Sequence, residues 1–364
     1  MMQSMPDALP PPGALRRIAV FRALQLGDML CVVPALRALR RAAPGAFITL
    51  IGLPWAREFA SRFHHYLDDF IAFPGFPGLP EQAADAAALP HFLNDVRERR
   101  FELAIQLHGS GALSNSIVAL LDARRQAGFH VEGAWCPDPA TFLRWGEPEH
   151  EVLRYLRLMG SLGCGDGDAA LEFPFDDADR AAVRALEPLP PGGRYVCLHA
   201  GARLPSRRWP AVRFAQVADG LAARGWHVVL TGGAQEGAIA GEVLGKMAAP
   251  ALDLTGRTTL GALALLVSRA GLLVSNDTAV SHLAAASGTP SVIVSSGADP
   301  VRWAPLDHGR HRVLAAPAAC RPCAFETCPI GHPCALDVSA DQVLEAALAM
   351  GEGGAGAWRR SAVP

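Results

Sequence analysis

The sequence lacks several features that mark common protein classes. Its 364 residues are only 19% charged, and 33 basic against 35 acidic residues leave a formal charge of -2. No global field therefore attracts nucleic acid, which is not an expected partner. The chain has no G-x-x-x-x-G-K-[ST] loop, no G-x-G-x-x-G after a strand and no G-x-S-x-G elbow. These absences disfavour kinases, dehydrogenases and serine hydrolases.

Long apolar runs are also missing. The stretch Leu260 to Val274 is interrupted by Arg269 and is shorter than the ~20 residues that span a bilayer. Residues Met1 to Gly13 are proline-rich and contain no basic region followed by an apolar segment, so they do not resemble a secretory signal. The sequence therefore predicts a cytoplasmic protein.

The length and the hydrophobic content indicate two large cores. Half of the residues are hydrophobic, and a chain of this length exceeds what one core usually serves. We expect an N-terminal domain over residues 14–170, a linker rich in Gly, Asp and Pro over 171–193, and a C-terminal domain over 194–350. The last helix is expected to pack back on the N-terminal domain.

Both halves alternate apolar strands with amphipathic helices. Arg17 to Ala23 predicts a buried strand, and a helix is expected from about Met29 to Ala42. The same pattern restarts at Tyr195 to His199 and continues to Ser291 to Ser295. Such alternation predicts an α/β fold with a parallel sheet in each half. Ligands of doubly wound sheets bind outside the carboxyl ends of the strands, so we expect the site in a cleft between two such domains.

The turn Leu26-Gly27-Asp28 stands where the first strand leads into the first helix. Asp28 has two interpretations at this position. It could cap the helix by accepting hydrogen bonds from backbone N–H groups of the first turn. Alternatively, it could act as a general base that accepts the proton of an acceptor hydroxyl. The local pattern leaves both interpretations open.

Two segments of the second half combine strand ends with groups suited to an anion. The first, His199 to Pro210, contains Arg203 and Arg207 before a helix, and arginine forks match phosphate oxygens. Its alternative is a solvated loop whose Trp209 packs into the core. The second segment contains Gly232-Gly233, where the backbone could approach a ribose or a phosphate, although tight βα turns use glycine anyway.

A third segment, Val274 to His282, ends a buried strand in polar groups at a helix start. Asp277 either caps this helix or faces a ligand. Thr278 offers a hydroxyl, and His282, about one turn further on, directs a ring nitrogen toward the positive end of the helix dipole. Three such segments at one sheet edge favour a diphosphate site.

Six short motifs occur in order along the chain. They are Ala23-Leu24-Gln25-Leu26-Gly27-Asp28, Pro34-Ala35-Leu36-Arg37-Ala38-Leu39-Arg40, Arg207-Arg208-Trp209-Pro210, Gly232-Gly233, Asp277-Thr278 and Ser281-His282-Leu283-Ala284. Together they resemble glycosyltransferase family 9, the ADP-heptose:lipopolysaccharide heptosyltransferases. The resemblance extends from about Arg17 to Val343.

The resemblance implies a GT-B architecture, with two doubly wound Rossmann-like domains facing an interdomain cleft. It implies an inverting transfer of heptose or a related sugar from an ADP-sugar to a lipopolysaccharide core or similar glycan, without a metal or other cofactor. Asp28 corresponds to the general base of the family. The expected donor-binding residues are Gly27, Arg203, Arg207, Gly232, Gly233, Glu236, Thr258, Asp277, Thr278, Ala279 and His282. Peripheral contact with the inner face of the cytoplasmic membrane is also expected.

Two positions depart from the family pattern. Arg207 stands where many relatives have lysine, and Ala279 stands where glycine is common. Arginine keeps the positive charge, whereas the methyl group of Ala279 narrows the donor site and leaves the identity of the sugar open. Two other functions stay open as alternatives: a nucleotide-sugar epimerase and a non-catalytic nucleotide-sugar-binding protein.

Four cysteines, Cys320, Cys323, Cys328 and Cys334, lie within fifteen residues. Four thiolates suffice for tetrahedral zinc, but the spacing is irregular. We expect a compact, redox-sensitive loop rather than a metal site. The D-x-D sequence from Asp166 to Asp168 lies near the predicted linker and is interpreted as a solvated loop rather than a metal-diphosphate clamp.

Overall fold

A computed structural model of the chain describes residues 9–146, 148–186, 188–190, 194–323 and 325–357, the last six of these by their backbone alone. The chain divides into two compact units, Met1–Ala170 and Leu171–Pro364. Each unit contains one sheet of parallel strands flanked by helices, which confirms the predicted α/β architecture.

The first unit is built around a six-stranded sheet. Its strands are β1 (Arg17–Phe21), β2 (Phe47–Gly52), β3 (Asp69–Ala72), β4 (Leu103–Gln106), β5 (Arg125–His130) and β6 (Phe142–Arg144). Its helices are α1 (Leu26–Ala42), α2 (Ala56–Arg62), α3 (Leu89–Glu98), α4 (Ser114–Leu120) and α5 (Glu151–Ser161), preceded by a 3₁₀ turn at Pro12–Ala14. The strand order is β3-β2-β1-β4-β5-β6. This is the doubly wound order, and it reverses direction between β1 and β4.

The second unit repeats this plan. Its strands are β7 (Tyr195–His199), β8 (His227–Leu230), β9 (Ala251–Asp253), β10 (Leu272–Asn276), β11 (Ser291–Val294) and β12 (His311–Leu314). Its helices are α6 (Asp177–Arg184), α7 (Ala211–Ala222), α8 (Gly237–Leu244), α9 (Leu260–Arg269), α10 (Ala279–Ser287), α11 (Pro300–Trp303), α12 (Pro333–Leu336) and α13 (Ala340–Ala357), with 3₁₀ turns at Pro205–Arg207 and Ala234–Glu236. The strand order β9-β8-β7-β10-β11-β12 reverses between β7 and β10.

The central strand and first helix of the first unit form much of its core. Residues 18–21 of β1 are fully buried, as expected for an apolar strand with helices on both faces. Helix α1 is buried on nearly all sides from Met29 to Val33, and it packs on α5. Arg40 and Arg41 of α1 lie in its last turn, where cations suit the helix dipole.

The core of the second unit is anchored by Trp209. This side chain is fully buried, packs edge-to-face on Phe214 with ring centroids 5.0 Å apart, and donates from Nε1 to the carbonyl oxygen of Val338 at 2.9 Å. Trp209 follows Arg207 and Arg208 directly. Its burial therefore fixes the loop that carries these two arginines.

The segment predicted as a linker is partly helical. Helix α6 begins with a capping box between Asp176 and Asp179 and packs on α9, where Val183 joins Ala262 and Leu265 in a small apolar cluster. Residues 187 and 191–193 of the predicted linker lie outside the described residues. The described part of α13 packs on α7 and on strands of the same unit.

The described helices offer no candidate for a membrane span, because none of them is both long enough and apolar enough.

Candidate functional site

Asp28 lies at the carboxyl edge of the first sheet, in the first turn of α1. The N-cap of this helix is Gln25, so the interpretation of Asp28 as the N-cap is wrong. Gly27 and Asp28 are both half-buried. The first turn of a helix has free backbone N–H groups and the positive end of the dipole, which favour a negative charge. Asp28 thus occupies a position that suits an ionised carboxylate.

A neutral histidine lies beside the start of this turn. The backbone N–H of Ala23 donates to Nδ1 of His108 at 3.2 Å, which leaves the ring proton on Nε2. Burial, and to a smaller extent the charge of Arg22, lower the pKa of His108 to about 4. Nε2 of His108 is 3.9 Å from a carboxylate oxygen of Glu81. The ends of β1 and β4 are therefore joined by the imidazole ring of His108, which stays uncharged at neutral pH.

Arg207 is the central cation of the second sheet edge. It ends the 3₁₀ turn that precedes α7, and its Nη2 donates to the carbonyl oxygen of Cys323 at 2.9 Å. Burial lowers the pKa of Arg207, while attraction to Asp277 opposes this shift. Its Nε is buried and has no hydrogen-bond partner within the described residues. Arg203, by contrast, is exposed.

Asp277 faces this arginine from the end of β10. The N-cap of α10 is Thr278, so the interpretation of Asp277 as a cap is also wrong. Ser295 donates from Oγ to Oδ2 of Asp277 at 3.0 Å. Burial raises the pKa of Asp277, although His282 in the first place, and then Ser295 and Arg207, favour its charged form. The carboxylate is therefore held among groups that could also orient a ligand.

The start of α10 presents several donors. Ala279 is its first residue, so its N–H lacks an intrahelical partner. Thr278 has a buried Oγ1 without a hydrogen-bond partner in the described part of the chain. His282 is buried one turn further on, with its ring edge-to-face against Trp303 at a centroid distance of 6.3 Å. Buried polar groups are rarely left unpaired, so this helix start is suited to bind an anion.

Glu236 holds two other loops of the same edge together. Its Oε2 accepts from the N–H of Gly233 at 2.7 Å and lies 3.6 Å from Nε2 of His199. A Cβ atom on Gly201 would overlap the Glu236 carboxylate, and one on Gly232 would also lie close to it. The glycines therefore allow the carboxylate to lie directly over the backbone.

Thr258 lies in the loop between β9 and α9 and is half-buried. The cap of α9 is the next residue, Thr259, whose Oγ1 accepts from the N–H of Ala262 at 3.2 Å. In the same loop, Gly256 donates from its N–H to the carbonyl oxygen of Gly232 at 2.9 Å. The loop of Thr258 is thus tied to the glycine turn after β8.

Asn276 has a role that the sequence did not reveal. It is fully buried at the end of β10, where its Oδ1 accepts from the N–H of Trp209 at 2.9 Å and its Nδ2 donates to the carbonyl oxygen of Ala200 at 2.8 Å. These bonds fix both ends of the loop that carries Arg207. The only signal in the sequence is an amide at the end of an apolar strand.

The cysteine-containing loop supports the turn of Arg207. Arg321 donates from Nη2 to the carbonyl oxygens of residues 295, 296 and 316 at 2.7 to 3.0 Å. Cys323 donates from its N–H to the carbonyl oxygen of Gly297 at 2.8 Å. His332 donates from Nε2 to the carbonyl oxygen of Ser206 at 2.8 Å. This loop therefore forms one wall of the edge where Arg207 lies.

The sequence offers two sets of candidate metal ligands, the four cysteines of the loop and the aspartates of the D-x-D sequence. Within the ranges that the structure describes, no group of three or more His, Cys, Asp or Glu side chains is placed to hold a metal ion. In the D-x-D sequence, Asp168 pairs with Arg37 at 3.4 Å, and the carbonyl oxygen of Asp166 accepts from Arg41 at 2.9 Å. These acidic residues thus bind arginines of α1.

Comparison with known proteins gives consistent relatives. Residues 91–333 match the model of "Glycosyltransferase family 9 (heptosyltransferase)". Lipopolysaccharide heptosyltransferase 3 of Escherichia coli is 26% identical over 287 residues, which are 77% of this chain and 83% of that protein.

Two solved structures share the fold. A family 9 glycosyl transferase from Veillonella parvula superposes with a TM-score of 0.75 at 21% identity, covering 93% of this chain and 98% of that one. The ADP-heptose lps heptosyltransferase II of Escherichia coli superposes with a TM-score of 0.72 at 21% identity, covering 93% and 99% of the two chains. Together with the two parallel sheets, these neighbours establish the two-domain GT-B fold.

Proposed function

Because the chain belongs to glycosyltransferase family 9, the heptosyltransferase family, we propose that it transfers a heptose from ADP-heptose to a glycan of a lipopolysaccharide core. Members of this family are glycosyltransferases, so we favour sugar transfer over the epimerase alternative. The names of a lipopolysaccharide heptosyltransferase and of an ADP-heptose heptosyltransferase among the relatives support the acceptor class and the donor. An acceptor of this kind would place the reaction at the cytoplasmic face of the inner membrane.

The donor diphosphate would bind at the carboxyl edge of the second sheet. The observation that carries this proposal is the set of donors without partners at that edge: Nε of Arg207 and Oγ1 of Thr278 are both buried and unpaired in the described part of the chain. The free N–H groups at the start of α10 add to them. Arg203 and His282 would complete a cationic and polar surface for two phosphates, with Ala279 supplying its backbone N–H.

The nucleoside would lie beside the neighbouring loops of this edge. Gly232 and Gly233 bring bare backbone close to Glu236, and the Thr258 loop is tied to the same turn. Glycine backbone allows a close approach of a ribose. We assign Glu236 and Thr258 to this nucleoside side of the donor.

Asp28 would act as the general base. It would accept the proton of the acceptor hydroxyl while that oxygen forms a bond to the anomeric carbon, and the bond from that carbon to the diphosphate oxygen would break. One displacement inverts the configuration and releases ADP. The charge that develops on the diphosphate would be stabilised by Arg207, His282 and the start of α10. This set of cationic and dipolar groups supports a reaction without a metal.

The Asp28→Asn variant tests this function. Turnover should fall by roughly 10²- to 10⁴-fold, because the amide cannot accept the proton, whereas ADP affinity and melting temperature should stay close to wild type. The assay measures ADP release from ADP-heptose with a heptose-deficient lipopolysaccharide core as acceptor. Asp95→Asn, which changes a half-buried carboxylate of α3 that pairs with Arg99, is the matched control and should retain full activity. A fully active Asp28→Asn enzyme would exclude Asp28 as the base.

Bound ADP without turnover in the wild-type protein, on every core acceptor tried, would instead support the non-catalytic binding alternative.

A further inference from the structure

A fully buried ionic network lies beneath the start of α1 in the first unit. Arg22, Glu151 and Tyr155 are each completely inaccessible to solvent. Arg22 donates from Nη1 to the hydroxyl of Tyr155 at 2.6 Å and to the carbonyl oxygen of Leu107. The Tyr155 hydroxyl donates in turn to Oε1 of Glu151 at 2.5 Å. Arg154 approaches the other oxygen of Glu151 at 3.6 Å.

The remaining donors of Arg22 are directed at Asp28. Its Nε and Nη2 both donate to the carbonyl oxygen of Asp28, at 3.0 and 2.6 Å. The backbone N–H of Arg22 donates to the carbonyl oxygen of Ile51 at 2.9 Å. The Arg22 side chain therefore connects the end of β4 and helix α5 to the main chain of a single residue in the first turn of α1.

Stability alone does not explain this network. Burying a guanidinium and a carboxylate costs desolvation energy that their attraction often fails to offset, so apolar residues of similar volume commonly serve a core as well or better. What the network provides is geometric, because an arginine fork fixes the direction of its acceptor. The acceptor here is the backbone of the residue that we assign as the base.

The protonation of Arg22 and of Tyr155 follows from their surroundings. Burial opposes the charged form of Arg22, but Tyr155, Asp28 and Glu151 outweigh it and raise the pKa of the guanidinium. Burial also raises the pKa of Tyr155, so its hydroxyl stays protonated. It can therefore accept from Arg22 and donate to Glu151 at the same time.

We propose that Arg22, held by Tyr155 and Glu151 of α5, is the positioning residue for Asp28. This inference rests on the proposed role of Asp28 as the general base. The network fixes the main chain of Asp28 so that its carboxylate meets the acceptor hydroxyl in one orientation. Misplacing a catalytic group by about 1 Å can cost roughly 10²-fold in rate, so weakening the network should reduce turnover without changing donor binding.

The test removes the hydroxyl that holds Arg22 and leaves the ring in place. Tyr155→Phe should lower kcat by about tenfold and leave the KM and Kd for ADP-heptose unchanged. Tyr195→Phe is the matched control, because its buried hydroxyl donates to the carbonyl oxygen of Leu266 at 2.6 Å in the second unit. It loses a comparable hydrogen bond and should keep kcat within about twofold. Equal kcat values for the two variants would overturn the inference.

Glu151→Gln provides a second variant if Tyr155→Phe folds poorly. The amide can still accept from the Tyr155 hydroxyl, but it removes the buried negative charge, and kcat should again fall without a change in donor KM. Wild-type kcat in a folded Glu151→Gln protein would overturn the role of Glu151.

A double variant separates this inference from the proposed function. In the Asp28→Asn background, Tyr155→Phe should cause no further loss of the residual rate, because the group that it positions is already gone. If Asp28→Asn is inactive and Tyr155→Phe is fully active, positioning fails and the base assignment stands. If Asp28→Asn is fully active, the proposed base itself fails. An additional loss in the double variant would show that Tyr155 acts independently of Asp28.

Discussion

A residue that binds phosphate needs a fixed position and an unpaired hydrogen-bond donor, and the Arg207 side chain has both. One end of its guanidinium is held by the Cys323 carbonyl, and its Nε has no partner among the described residues. Because the Arg207 side chain is already held in place, anion binding does not have to order it, and the entropic cost of binding is lower.

Arg207→Ala should therefore weaken ADP binding by roughly 10- to 100-fold, as expected for a lost hydrogen bond to a charged group. The protein should stay folded, because the turn is also held by Ser206 and Trp209. Titration calorimetry with ADP measures the effect. Arg224→Ala, beyond the end of α7, where the side chain bonds only the carbonyl oxygen of Gly220 among the described contacts, is the control. Unchanged ADP affinity in Arg207→Ala would remove it from the site.

At the residue scale, sequence position predicts some roles and misses others. Asp28, Arg207 and Asp277 were predicted as site residues because each of them follows a strand. The carboxyl ends of parallel strands lie at the same edge of their own sheet, whatever the details of packing. Arg22 and Asn276 were not selected, because their function lies in bonds to residues far away in the chain. Both supposed caps were wrong because pattern analysis places helix starts only to within a few residues.

At the element scale, burial on both faces explains which strands were predicted. Strands such as β7 and β11 are continuous buried runs, and their bounds agree with the prediction to within one residue. The edge strands β6 and β12 were missed because they are short and end in polar or half-buried residues. Helix α6 was missed because its turn-forming aspartates, which cap it, suggest a linker.

The side chain of Asn276 joins β10 to the β7–α7 loop, so its loss should affect a whole element. Asn276→Ala leaves the buried Trp209 N–H and the Ala200 carbonyl without partners, and we expect it to destabilise the second unit by about 2–4 kcal/mol. Urea unfolding followed by tryptophan fluorescence measures this. Ser268→Ala removes a hydroxyl that donates to the carbonyl oxygen of Leu265 in its own helix, α9, and should change stability by less than about 1 kcal/mol. Equal effects of the two variants would contradict the role of Asn276.

At the scale of the whole molecule, buried histidines should make the protein sensitive to acid. Burial lowers the pKa of His108 and His311 to about 4, and it lowers the pKa of His199 as well, whereas unfolded histidine titrates near 6.5. Between about pH 6.5 and 4 the unfolded chain therefore binds more protons, and the free energy of unfolding decreases as the pH falls. Above about pH 7 these groups contribute no pH dependence.

Calorimetric melting temperatures at several pH values measure this sensitivity. The midpoint should decrease from pH 7 to pH 5, and His311→Asn should reduce the slope. His64→Gln, which changes an exposed histidine, should leave the slope unchanged. A midpoint independent of pH in this range would show that the buried histidines do not control acid stability.

Each unit is made from a continuous stretch of chain, and in each the first strand is a central one: β1 lies between β2 and β4, and β7 lies between β8 and β10. During synthesis the amino-terminal parts of a chain leave the ribosome first. Strand β1 gains β2 early, but its other edge stays unpaired until Leu103–Gln106 has been translated. The nascent protein thus carries an unpaired, apolar strand edge through much of the translation of each unit, and such an edge can pair with other chains until its partner strand has been made.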